Sequence, residues 1–163
     1  QMVAQTGRTV SKWTKFCVDD SSGTLREIPV SSINGVGLDY DEVDMTAFSD
    51  AIHGVLLNHP NCTIDITGPF DTTAAAAIGV GVSGSHTVLS GIAGGNTPLT
   101  LDIRIGIRHA WENGEPQFGI TSSATDGFLC KSYTVNPDDG TYSASFVMFA
   151  GSTAPAWGTA AET

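Results

Sequence analysis

Four histidines, His53, His59, His86 and His109, and a run of carboxylates, Asp39, Asp41, Glu42 and Asp44, are the side chains of this sequence best suited to acid–base or metal chemistry. None of the histidines stands in an H-x-x-x-H or H-E-x-x-H spacing, which would aim two imidazoles at one ion from a single helix face. Each reads instead as a helix-surface or loop histidine. The acidic run lacks the sixth-position glycine and twelfth-position glutamate of an EF-hand loop. Its carboxylates alternate with Leu38, Tyr40, Val43 and Met45, which describes a solvated strand face rather than a calcium site or an acid–base pair. No G-x-S-x-G elbow is present to carry a nucleophilic serine, and Gly84-Ser85-His86 reads as loop. Gly79-Val80-Gly81 lacks the third glycine, the preceding strand and the following acid of a dinucleotide fingerprint. Cys17, Cys62 and Cys130 are odd in number, far apart and without a C-x-x-C pair, so they read as small buried hydrophobes suited to a reducing compartment. The sequence therefore assigns no catalytic residue, no cofactor and no metal ligand, and the reading is non-enzymatic.

The bulk numbers agree with a structural or binding role. The 163 residues suffice for one domain with a real core, and 40% hydrophobic against 15% charged residues, with 19 glycines, is a β-rich, turn-rich composition. Seventeen acidic side chains against seven basic ones leave a net charge of −10. Free binding to nucleic acid or to an anionic membrane is thereby opposed. No apolar run approaches the roughly eighteen residues of a membrane span, and no charged-then-apolar leader opens the chain. A soluble protein that is not secreted is the expectation.

The elements that must position these residues follow from periodicity. Residues 1–11 are patternless and read as an arm, residues 12–150 as the folded domain, and residues 151–163 as a tail anchored by Trp157. Strands are expected over 12–18, 25–30, 62–67, 99–107, 117–122, 127–135 and 141–150, from alternation of apolar and polar residues between turn signals. Over Leu38–Met45 the alternation slips by one residue at Asp41-Glu42, which predicts a bulge or bend. Phe48, Ala51, Ile52, Val55 and Leu56 then recur at helical spacing behind Thr46, so the spacing predicts one flanking helix over residues 46–57 that packs on a sheet face. Residues 71–98 read as a flexible loop with at most one short helix around His86–Ile92. The fold class is mainly β: an antiparallel β-sandwich of seven to eight strands with one flanking α-helix and flexible loops.

Several local phrases, in order, resemble the tail tube (major tail) proteins of long-tailed bacteriophages. They are Gly23-Thr24-Leu25-Arg26-Glu27-Ile28, Val43-Asp44-Met45-Thr46-Ala47-Phe48-Ser49-Asp50, Asn61 through Asp71, Ser85-His86-Thr87-Val88-Leu89, Pro98-Leu99-Thr100 and Ala154-Pro155-Ala156-Trp157-Gly158. The resemblance covers most of residues 12–158, and the Ala- and Gly-rich stretch from Ala74 to Gly84 departs from it. It implies a virion protein assembled in the bacterial host cytoplasm, whose copies form hexameric rings stacked into a tube for DNA ejection. The implied partners are further copies of the chain together with tail terminator, tape-measure and distal tail proteins, with DNA only in transit and no membrane. An acidic lumen would let phosphates slide past, and Asp39, Asp41, Asp65 and Asp102 are the candidates to face it. The arm, the 71–98 loop and the tail are expected to order only against a neighbouring copy and to carry the ring-to-ring contacts. Two other readings stay open: a capsid decoration or head–tail connector protein of the same sandwich type, and a ligand- or carbohydrate-binding module using Trp13, Trp111 and Trp157 as platforms.

Overall fold

The computed structural model describes residues 6–108 and 110–159. His109, residues 1–5 of the expected arm and residues 160–163 of the expected tail lie outside the described residues. Eleven strands and one α-helix are formed among the rest.

The chain enters through a 3-10 turn at Ser11–Trp13 and runs into β1 (Thr14–Asp19). At the turn that follows, the Asp20 Oδ1 accepts the Ser22 and Thr24 amides at 2.8 and 3.1 Å. Gly23 supplies the left-handed φ of +85° that returns the chain as β2 (Leu25–Ile28). A short β3 (Ser32–Asn34) leads to a hairpin, β4 (Asp39–Asp44) and β5 (Val55–Asn61). After it come β6 (Thr63–Pro69), α1 (Ser85–Ile92), β7 (Leu101–Ile105), β8 (Pro116–Ile120), β9 (Phe128–Asn136), β10 (Thr141–Met148) and β11 (Ala156–Thr159).

Two antiparallel sheets stack as a sandwich. One has the order β11-β8-β7-β1-β2, the other β3-β6-β10-β9, and β4-β5 is a separate two-stranded ribbon. Alternation dictates which side chains meet between the layers. In β6, Ile64 and Ile66 are buried while Thr63, Asp65 and Thr67 are exposed. Phe16, Val18, Leu101, Ile103 and Phe118 face them from the first sheet, and Tyr142, Ala144 and Phe146 extend the same layer in the second. The Phe16 and Phe146 rings meet across the layers at 5.5 Å. Each such buried side chain contributes about 1.5–3 kcal/mol over its exposed state.

α1 closes one side of the sandwich, where it lies against β2 and β9. Its Ser85, Val88, Leu89 and Ile92 are buried, at the i, i+3, i+4, i+7 spacing of one helix face. Residues 71–98 thus order within the single chain, contrary to the expectation that they wait for a neighbour. The reason is a set of hydroxyl contacts invisible to periodicity. Ser85 Oγ donates to the Pro69 carbonyl at 2.8 Å and accepts the Asp71 amide at 3.1 Å, while Ser83 Oγ accepts the Ala76 amide at 3.0 Å. Gly84, at the helix start, admits no side chain: a Cβ there would stand 2.6 Å from the Asp71 oxygen and from the Thr73 nitrogen.

The helix expected over residues 46–57 does not form. Residues 45–54 are the loop of the β4–β5 hairpin, and Val55 and Leu56 belong to β5. Thr46 acts across the loop instead of capping a helix: its hydroxyl accepts the Gly54 amide at 2.8 Å and donates to the Gly54 carbonyl at 3.2 Å. Asp44 Oδ1 takes the Thr46 amide and Asp50 Oδ2 the Ala47 amide, so local side chains satisfy the backbone that a helix would have used. A three-turn helix with Gly54 near its end gains too little without a surface to pack on. The slip at Asp41-Glu42 is present as a bulge, since pairing shifts register between Tyr40 and Glu42. Residues after Gly151, read as patternless, supply β11, which pairs with β8 and sets Trp157 5.0 Å from the Phe118 ring.

Candidate assembly interface

The hairpin is built to stay out of its own core. All six residues of β4 are exposed, and in β5 every residue but the half-buried Pro60 is exposed as well. The register sets Val43 opposite Leu56, Glu42 opposite Leu57 and Asp44 opposite Val55. Aliphatic and acidic side chains are thereby interleaved on the ribbon. Leu56 and Leu57 are 60% and 63% exposed, and at the tip Ile52 is 80% exposed and Phe48 fully so. Tyr40, Val43, Met45 and Val55 are exposed as well, so both faces of the ribbon carry apolar side chains. An isolated two-stranded ribbon is marginally stable in water, and apolar residues gathered this densely on a soluble protein mark a contact surface. Pro60 stands opposite Tyr40 beside the bulge, a place where a missing N–H costs no ladder bond on a sheet without further strands.

The rest of the chain offers complementary features for association. α1 covers the side formed by β2 and β9, which leaves β11 and β3 as the uncovered outer strands of the two sheets. Unpaired strand edges accept strands from other chains.

The residues singled out from sequence are scattered. His53 and His59 lie on the hairpin, and His86 lies on α1, where its Nδ1 is 3.0 Å from the Tyr133 hydroxyl and its ring packs against Phe70. Among the described residues no three His, Cys, Asp or Glu side chains gather as a metal set. All three cysteines are buried, and burial pushes the Cys17 thiol up to about 12 and those of Cys62 and Cys130 up to about 11. Trp111 is buried with the Arg104 guanidinium 5.1 Å from its ring, so it offers no open platform to a sugar; Trp13 is partly exposed, and Trp157 packs on Phe118 but keeps 52% of its surface exposed.

The four acidic candidates separate. Asp39 and Asp41 are exposed on the hairpin, and Asp65 is exposed on β6, where its Oδ1 accepts the Ser145 hydroxyl at 2.6 Å. Asp102 is 9% exposed, so little of its carboxyl reaches the surface of the single chain. Burial raises its carboxyl above the ordinary range, with Arg104 beside it pulling the other way. The polar face of β7 was legible as polar, but the loop that brings Trp111 over it was not. The hairpin surface itself went unseen because its tip has helical spacing; the Val55-Leu56-Leu57 run and Pro60 opposite the slip were the signals for a strand.

Comparison with known proteins gives matches of fold. No protein-family profile matches the chain, and no curated protein sequence matches it. Among solved structures, the tube-terminating cap of the anti-feeding prophage superposes with a TM-score of 0.61 at 10% identity, over 98% of this chain and 97% of that one. The sheath/tube terminator of the PVC extracellular contractile injection system gives 0.56 at 9% identity, over 96% and 99%. The sheath-tube complex of the same kind of system, in its extended state, gives 0.53 at 8% identity, over 94% and 93%. At these identities the likeness is one of fold, and it runs end to end.

Proposed function

We propose that this chain is a non-enzymatic structural subunit of a phage-tail-type tube, associating with copies of itself into rings. The observation that carries the reading is the hairpin of residues 39–61, whose aliphatic and aromatic side chains are exposed in the single chain. Burying them against a neighbour supplies the driving force for association, at about 25 cal/mol per Å² of apolar area. The fold shared over nearly the whole chain with tube-ending and sheath-tube components supports this role. On this reading the partners are further copies, then the proteins at the tube ends, and the setting is a phage or phage-like particle. Hexameric rings stacked into a conduit with an acidic wall remain the fullest form of the proposal, and the net charge of −10 per copy favours passage of a polyanion without sticking.

A second position in the same assembly is the tube end. Two of the three structures compared above are a tube cap and a tube terminator, and of those three they carry the higher TM-scores. A tube subunit stacks through both faces of its ring, whereas a terminator stacks through one. Purified protein examined by size-exclusion chromatography with light scattering and by negative-stain electron microscopy separates these cases. Tubes indicate the repeating subunit and discrete rings the terminator. A chain that stays monomeric at millimolar concentration overturns the proposal.

A further inference from the structure

We propose that the hairpin of one copy docks against the next copy at a partly apolar cleft between its two sheets, beside a cluster of basic side chains, so that association runs head to tail. This rests on the self-association argued above and identifies the two surfaces that meet.

The donor is distinctive in charge as well as in apolar surface. Residues 39–61 carry five carboxylates, Asp39, Asp41, Glu42, Asp44 and Asp50, and no lysine or arginine. They are exposed alongside Leu56, Leu57, Ile52 and Phe48. With strands of six and seven residues, the ribbon extends roughly 20 Å beyond its base, given the rise of a strand.

The acceptor lies where β1 begins and β7 ends. Five of the seven basic residues of the chain fall in residues 8–15 and 104–108. These two segments are joined: Thr14 pairs with Ile105, the Gly106 amide donates to the Trp13 carbonyl at 3.1 Å, and the Thr9 hydroxyl donates to the Gly106 carbonyl. Gly7 lies against the Arg108 guanidinium. Arg8, Lys12 and Arg108 are thus held near one another, and all three are exposed. Carboxylates nearby do not cancel them. Asp102 and Glu115 are buried, and Glu115 is occupied by the Ile107 and Glu112 amides, which leaves Glu112, partly exposed, as the one acid of residues 106–115 at the surface. Beside this basic cluster, where Lys12 follows Ser11, opens a cleft of about 370 Å³ lined by Val30, Ile33, Val36, Ile103 and Ile105 together with the hydroxyl residues Ser11, Thr14, Ser31 and Ser32. Val30, Ile33, Val36 and Ile105 are only partly buried there, an unfilled margin of the core.

The chain does not fill this cleft with its own hairpin, which is exposed along its length. A second copy supplies what is missing, with apolar side chains for the slot and carboxylates for the basic cluster beside it. Donor and acceptor are different surfaces, so the contact is heterologous and propagates into a ring or a stack rather than stopping at a two-fold dimer. Charge complementarity fixes which end meets which.

Two charge-reversed chains test this. One carries Arg8→Glu, Lys12→Glu and Arg108→Glu; the other carries Asp39→Lys, Asp41→Lys and Glu42→Lys. Asp44 and Asp50 are left intact because they hold the hairpin loop. At 150 mM NaCl each variant alone is expected to sediment as a monomer with a native circular-dichroism spectrum. An equimolar mixture is expected to regain wild-type assembly, because each hairpin then matches the other chain's cluster. Wild-type assembly by either variant alone, or a mixture that stays monomeric, overturns the pairing. Should a triple variant fail to fold, the single changes Lys12→Glu and Glu42→Lys carry the test: each weakens association tenfold or more and mixing restores it, and no weakening overturns the pairing. A wild-type chain that never associates overturns the self-association reading itself.

Discussion

β5 and β6 are neighbours in sequence, separated by Cys62 alone, and both are aliphatic, yet one is exposed along its length and the other alternates between buried and exposed. The difference lies in what stands opposite. Ile64 and Ile66 meet a second sheet 35 or more residues away in either direction along the chain, whereas Leu56 and Leu57 face only the acidic strand β4. Identical side-chain chemistry therefore supplies stability in one strand and an exposed apolar surface in the next. Which it becomes is decided by tertiary partners and not by the residues themselves.

The largest effect that distinguishes the two regions is on folding. Phe146→Ala, which removes a fully buried ring stacked on Phe16, is expected to cost about 3–5 kcal/mol in urea unfolding. Leu57→Ala on the hairpin is expected to change the stability of the monomer by less than about 0.5 kcal/mol. Equal costs would break the comparison. Gly84→Ala comes next: its Cβ would meet the backbone of Asp71 and Thr73, and the strain at the start of α1 is expected to cost about 1–3 kcal/mol in thermal unfolding.

The smallest effect is electrostatic and confined to the sandwich. At the β1–β2 turn, burial raises the Asp20 carboxyl, but hydrogen bonds from Ser22, Arg26 and Thr24 outweigh it and hold the group at about 2, below the ordinary 3.8. The folded value is depressed, so this stability is present above about pH 4 and is lost as pH falls toward 2, in total below about 1 kcal/mol because the turn stays open to water. Asp19 has the opposite sign: burial raises it, and its protonation on acidification favours the fold. Asp20→Asn is expected to flatten the stability profile between pH 4 and 2, measured by chemical denaturation across that range. An unchanged profile would remove Asp20 from the account.

Much of this architecture was readable from alternation. β1, β2, β6, β7, β8, β9 and β10 follow period-2 patterns bounded by turn residues, and the slip at Asp41 marks a real bulge. α1 was readable as a short helix near His86, although its seat on Ser83 and Ser85 was not. Residues 46–57 misled because helical spacing of apolar residues says nothing about whether a surface waits to receive them. β11 has no alternation to read, since Ala156-Trp157-Gly158-Thr159 is held by its ladder to β8. The seat of Arg104 depends on Trp111 arriving from a following loop, a contact that local pattern does not encode. The exposed apolar surface was the least legible part. Sequence pointed to loose ends and to residues 71–98, while the exposed apolar surface lies on the hairpin. The separation of charge between that hairpin and residues 8–15 and 104–108 was nevertheless visible in the plain sequence.

The central claim is that the hairpin is completed by a neighbouring copy while the sandwich is complete by itself. Amide hydrogen exchange on the wild-type chain, recorded for the dilute monomer and for the assembled form, tests it most directly. Amides of β6, β7 and β10 should be protected in both states, and those of residues 39–61 should exchange freely in the monomer and become protected on assembly. Assembly that leaves residues 39–61 exchanging as they do in the monomer would contradict the account.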